Sequence, residues 1–181
     1  MEGSRKMNNV MLDLETLGTS PGCIILSIGA VFFDKTGLGQ EFYQTIDVQS
    51  SIDAGLTMSG GTFKWWMGQP GAARKALFEY PAQLEGALNN FANWLAKHGD
   101  TGTVKVWGNG SDFDNPILGA AYAKVGMDVP WKFWNNRCYR TVCDVLNDKQ
   151  RKQEGVHHHA LDDAKSQAQH LRGLLTLRAV W

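Results

Sequence analysis

The sequence predicts a single α/β domain, a mixed sheet covered by helices. Three observations predict it. Three β-favouring segments near the start are joined by links too short for a crossover, helical patterns then alternate with further short strands, and 181 residues suffice for one core but not comfortably for two.

The first segment, Val10 to Thr16, is apolar and runs into a Gly/Thr/Ser/Pro cluster ending at Gly22, so it reads as a strand that ends in a loop. Asp13 and Glu15 emerge on one face of this strand, and Leu12 and Leu14 on the other. Ile24 to Asp34 is a second strand, Lys35-Thr36-Gly37 a turn, and Glu41 to Val48 a third strand, together an antiparallel meander. Ser51 to Met58 reads as a short helix or turn. Thr62 to Gly68 and Ala72 to Phe78 are helical pieces broken by Gln69-Pro70-Gly71. A long helix follows Pro81, with Leu84, Leu88, Phe91, Trp94 and Leu95 at intervals of three and four. Thr103 to Trp107 is a strand that feeds a Gly-Asn-Gly loop. Phe113 to Val125 is a helix with Ile117, Leu118, Ala121 and Val125 inward. Lys132 to Trp134 reads as one more strand and Thr141 to Leu146 as a helix. The last helix, Ala160 to Arg178, carries an apolar stripe at Leu161, Ala164, Ala168, Leu171 and Leu175. No repeat, low-complexity tract or linker divides the chain.

Lys plus Arg equals Asp plus Glu, 18 each, so no basic excess points to a long duplex footprint. A site that grips a few nucleotides at a chain end remains compatible, because bound metal ions can carry the positive charge. Cys23, Cys138 and Cys143 match no zinc spacing, and the odd, sparse count suggests reduced thiols in an intracellular protein. No apolar run is long enough to span a bilayer, and no secretory leader follows the start. Residues 1–6 read as a cloning remnant or disordered start, with the domain itself over 7–181.

Three stretches carry chemistry. Asp13 and Glu15 repel each other side by side, and such a pair at a central strand end calls for a hard cation, Mg²⁺ or Mn²⁺; the plain alternative is two solvated acids. In Trp107 to Asn115 a strand, a glycine-rich loop and a helix present an acid at the C-terminal sheet edge. There Asp112 is the better helix cap and Asp114 the better metal ligand. In His157-His158-His159-Ala160-Leu161-Asp162-Asp163, helical geometry puts Asp163 ~110° from the centre of the apolar stripe and Asp162 ~150° away. Asp163 therefore borders the buried face and Asp162 points to water.

In order and spacing, Asp13-x-Glu15-Thr16, Asn109 through Phe113-Asp114, and His158-x-Ala160-x-x-Asp163 resemble the D-x-E-T, N-x-x-x-F-D and H-x-A-x-x-D signatures of DnaQ-like DEDDh 3′–5′ exonucleases. The resemblance covers Val10 to about Leu171. It implies a ribonuclease H-like fold with a five-stranded mixed sheet. Within that family, Val106 to Gly110, Trp65-Trp66 with Gln69, and Cys138-Tyr139-Arg140-Thr141 are similar to the phage and prophage exonuclease VIII-like branch. Many relatives have Asp-Thr where this chain has Arg140-Thr141, but that Asp lies outside the catalytic set.

The resemblance implies removal of nucleoside 5′-monophosphates from the 3′ end of DNA, with a single-stranded end as the expected partner. RNA and a catalytically silent nucleic-acid-binding module are the alternatives. It implies two divalent metal ions, Mg²⁺ or Mn²⁺, about 4 Å apart. Asp13 would bridge both, Glu15 and Asp163 complete the first site, and Asp114 hold the second. His158 would be the general base, in a mobile loop that swings in with substrate. Thr16, Leu17, Trp66 and Asn109 would contact substrate, with Leu17 as a wedge. Phe63, Trp65 and Trp66 offer aromatic faces, although core packing is the commoner role for at least one of the adjacent tryptophans. Arg137, Arg140, Lys149, Arg151 and Lys152 could line the strand's path, although such charge runs are more often solvated faces. The location implied is the cytoplasm, of a bacterial host if phage-encoded. No membrane partner is expected, and a homodimer is compatible with the reading.

Overall fold

A computed structural model describes residues 7–148, 154–179 and 181. The start at residues 1–6 and the cations Lys149, Arg151 and Lys152 lie outside the described residues.

Strands β1 (Asn9–Thr16), β2 (Ile25–Asp34) and β3 (Gly37–Thr45) form the antiparallel meander. Strand β4 (Lys105–Gly108) adds parallel to β1, and β5 (Asn136–Cys138) parallel to β4, giving the order β3-β2-β1-β4-β5. The sheet is thus mixed and five-stranded, flanked by helices α1 (Val48–Asp53), α2 (Gly60–Met67), α3 (Gly71–Ala76), α4 (Leu84–His98), α5 (Asp114–Lys124), α6 (Tyr139–Val145) and α7 (Ala160–Leu177).

Alternation along β1 divides the core. Val10, Leu12 and Leu14 pack with Leu88 and Phe91 of α4 and Ile117 and Leu118 of α5 in the larger cluster. Met11, on the face that also carries Asp13 and Glu15, packs with Ala164, Ala168 and Leu171 of α7 in the smaller one. β2 lies between β1 and β3 and is buried along its whole length, which explains its nearly uninterrupted apolar sequence.

Helix α7 lies unusually close to the sheet at one point. Gly29 of β2 pairs with Asp13 in the strand register, and a Cβ at Gly29 would come within 2.1 Å of the Ala160 carbonyl carbon. Only a residue without a side chain lets the first turn of α7 rest on the backbone beside Asp13.

Four expectations are corrected. The strand expected at Lys132–Trp134 is a 3-10 turn at Phe133–Asn135, and the strand follows it at Asn136–Cys138. The polar Asn136 holds that register, since its Oδ1 accepts from Trp131 Nε1 at 2.7 Å and from Asn115 Nδ2 at 2.9 Å. The helix expected within Ser51–Met58 starts earlier, at Val48, because Asp47 caps it by accepting from Ser50 N at 2.8 Å. Asp112 does not cap α5; it is exposed, and the cap position is Phe113, without a side-chain cap bond. Along α7, Leu161 and Leu175 are half-buried, whereas Asp163, Ser166 and Gln167 are buried. That helix turns polar groups toward the sheet because the sheet carries acids there.

Candidate active site

Each acid is delivered by a different local device. Asp13 and Glu15 ride the same face of β1, and the strand register shifts between Glu15 and Thr16, where the chain leaves the sheet. Asp114 opens α5. Its Oδ1 accepts from Leu14 N at 3.1 Å and its Oδ2 from Asn109 N at 2.8 Å, so one carboxylate straps β1 to the loop after β4. Gly108 leaves room for this, since a Cβ there would come within 2.9 Å of Asp114 Oδ2. Asp163 projects from the first turn of α7 and accepts from His158 N at 3.0 Å. His158 has φ of 63°, in the left-handed region that non-glycine residues avoid, and this turn carries its ring back over the acids.

The ligand atoms of Glu15, His158 and Asp163 all lie within 4.8 Å of one another, a carboxylate and imidazole set that suits a divalent cation. Asp13 and Asp114 stand beside this group rather than in it. Burial, then the charges of Asp114, Glu15 and Asp163, push Asp13 well above the usual carboxylate range, and a bond from Gln167 Nε2 at 2.7 Å pulls the other way. Glu15 is pushed up to about 8 by burial and by Asp163 and Asp114. Burial raises Asp114 to about 6, against the backbone N–H groups of Asn109 and Leu14 and the nearby Arg140. Buried acids that repel one another in this way are stabilised by a divalent cation held among them. The donor set therefore fits the divalent ions that the motifs imply.

The three consecutive histidines divide their work. His158 belongs to the acid group, and burial together with His157 lowers its pKa while Asp163 acts the other way. His157 is exposed and packs on His158 with ring centres 3.9 Å apart. His159 stacks on Tyr43 at 4.3 Å and caps α7 by accepting from Asp162 N. Asp162 accepts from Val156 N at 2.8 Å and so pins the turn that carries the histidines, in place of pointing free into water.

Above the acids lies a cleft of about 460 Å³. Thr16, Trp66 and Asn109, the residues expected to contact substrate, line it. Trp66, however, is only 3% exposed, and its Nε1 donates to Thr16 O at 2.9 Å, which makes it a brace for the end of β1. Trp65 is the one that presents an open face: it is 47% exposed, lines the cleft, and meets His158 edge-on at 4.9 Å. Phe63 is also exposed but does not line the cleft. Leu17, the expected wedge, has its side chain buried in the larger core cluster and does not line the cleft. Gln167 was not singled out by the motifs. Its place four residues beyond Asp163, hence on the same face of α7, was the available signal.

Among solved structures, the nuclease domain of 3′hExo, a DEDDh family member bound to rAMP, superposes with a TM-score of 0.62 at 12% identity, covering 97% of this chain and 94% of that one. Cell-death related nuclease 4 (CRN-4) gives 0.56 at 13% identity, over 95% of this chain and 65% of that one. A full-length 3′-exonuclease gives 0.57 at 11% identity, over 94% and 81%. These likenesses establish the ribonuclease H-like fold of DEDDh exonucleases. No curated protein matches the sequence at a level that shows kinship. A family profile described as the 3′-5′ exoribonuclease Rv2179c-like domain matches residues 8–175. With that match spanning nearly the whole chain, and with the acids and His158 gathered at one sheet edge, the chain belongs to the Rv2179c-like family of 3′–5′ exoribonuclease domains.

Proposed function

We propose that this chain is a divalent-metal-dependent 3′–5′ exonuclease that releases nucleoside 5′-monophosphates from the 3′ end of a nucleic acid strand. The observation that carries the reading is the convergence of Glu15, Asp163 and His158 with Asp13 in one cleft, with Asp114 beside Asp13 in the adjoining one. Asp13, Glu15, Asp114 and Asp163 would hold two divalent ions, Mg²⁺ or Mn²⁺. Bound there, the ions would activate water and neutralise charge on the phosphate.

The chain's own residues supply the rest. His158, turned over the acids, accepts the proton of the attacking water. Trp65 stands perpendicular to the His158 ring and limits its rotation, and its exposed surface offers a stacking platform for the terminal base. Thr16 and Asn109 border the sugar and phosphate; their places on the cleft wall support this. Residues 7–181 act as one exonuclease domain.

RNA is the favoured substrate because the family's description names an exoribonuclease. DNA is the second reading, supported by the exonuclease VIII-like segments around Trp65-Trp66 and Cys138 to Thr141. A phage or prophage origin, action in the host cytoplasm and a homodimer belong with that second reading. The test follows release of mononucleotide from 3′-labelled RNA, single-stranded DNA and duplex DNA side by side, with Mg²⁺, Mn²⁺ or chelator. Release that persists in chelator, or cutting of a closed circle, would overturn the proposal.

A further inference from the structure

A second, smaller cleft of about 250 Å³ adjoins the acids. Its five lining residues are Asp13, Asn109, Phe113, Asp114 and Arg140, and the first three also line the larger cleft. Arg140 sits in the first turn of α6, just after β5. Because β5, β4 and β1 run parallel, Arg140 reaches the same sheet edge as Asp13 and Asp114. It is exposed, and it makes no hydrogen bond or ion pair with another described residue. The neighbouring Asp114 accepts from the backbone N–H groups of Leu14 and Asn109, and Arg140 acts on it through its charge without a hydrogen bond.

A guanidinium is a planar fork of N–H donors that matches a phosphate in two-pronged fashion. The two clefts share the wall of Asp13, Asn109 and Phe113, so a strand whose terminal nucleoside fills the larger cleft has a continuous path into the smaller one. The smaller cleft begins at that wall, and Arg140 is its one cation. We propose that Arg140 and the smaller cleft form a subsite for the phosphate immediately upstream of the scissile one, so that the enzyme grips the strand it retains. The inference rests on the exonuclease reading above and deepens it.

The test compares a dinucleotide with and without a 5′-phosphate, pNpN against NpN, in whichever sugar series the parent prefers. The added group is the upstream phosphate and nothing else. The parent should cleave pNpN with a kcat/KM about tenfold higher than NpN, mostly through KM, as a partly exposed charge-assisted contact provides. In Arg140→Gln the ratio should fall to about one, and in Arg140→Lys it should be intermediate. A ratio near one in the parent, or one retained in Arg140→Gln, overturns the subsite while leaving the exonuclease intact. Cleavage restricted to longer strands also overturns it, by moving the contact elsewhere. If the parent releases nothing from either dinucleotide or from longer strands, the exonuclease reading and the subsite fall together.

Discussion

Asp13 faces Asp114, Glu15 and Asp163, and Gln167 is bonded to its Oδ1. Removing its carboxylate takes away the group common to both clefts without opening the core. Asp13→Ala should therefore abolish turnover while the circular dichroism spectrum stays unchanged; substantial remaining activity would mean the metals are held elsewhere. The histidines separate more finely. His158→Ala should lower kcat by about 10²-fold or more, the range for a lost general base, whereas His157→Ala should change it less than about tenfold. His159→Ala should act on stability, costing about 1 kcal/mol through the lost cap of α7, as read by urea denaturation. If His159→Ala matched His158→Ala in kcat, the assignment of the base would fail.

At the scale of elements, the site depends on how β1, α5 and α7 meet. The Asp114 carboxylate ties β1 to α5, and the bare backbone of Gly29 seats α7. Gly29→Ala forces a Cβ into the Ala160–Leu161 peptide, and backbone cannot give way as a flexible side chain would. We expect a loss of about 3 kcal/mol in denaturant unfolding and a matching loss of activity, since α7 carries Asp163 and Gln167. Gln167→Leu keeps the volume near constant but frees Asp13 from its one side-chain bond. It should weaken Mn²⁺ binding by calorimetry about tenfold, the size of effect expected for a partner that orients a ligand. Unchanged Mn²⁺ affinity would limit Gln167 to packing.

For the whole molecule, the buried acids link stability to pH and metal. The folded pKa of Glu15 is about 8 against an ordinary 4.5, and that of Asp114 about 6 against 3.8. Raised values mean that the folded state holds protons the unfolded state releases. Their stabilising effect is full below the ordinary values and lost as pH climbs through the folded ones. The metal-free protein should thus melt at a falling temperature from pH 5 to pH 8, and added Mn²⁺ should recover most of the loss at pH 8. A melting temperature that rises over that range without metal would contradict the buried acid cluster.

Much of this was legible in the chain because the signals are local. Alternation in Val10 to Thr16 put Asp13 and Glu15 on one face, glycine and asparagine announced the loop before Asp114, and helical spacing set Asp163 at the edge of a buried stripe. These depend only on the two side-chain periods of strand and helix. Tertiary structure decided what depends on distant partners. The short strand β5 exists because Asn136 pairs with Val106, thirty residues away, and nothing in Asn-Arg-Cys favours a strand by itself. Leu17 went to the core, and of the two tryptophans at the cleft Trp65 is exposed and Trp66 buried, because the neighbours that cover each side chain come from other segments. The same holds for the histidines: their spacing named His158, but only the left-handed turn, the Trp65 edge and the Asp163 carboxylate show why one ring faces the acids while its neighbours turn to water and to Tyr43. Covalent spacing determines which side chains can share a face; which of those faces meet is decided by the packing of elements far apart in the chain.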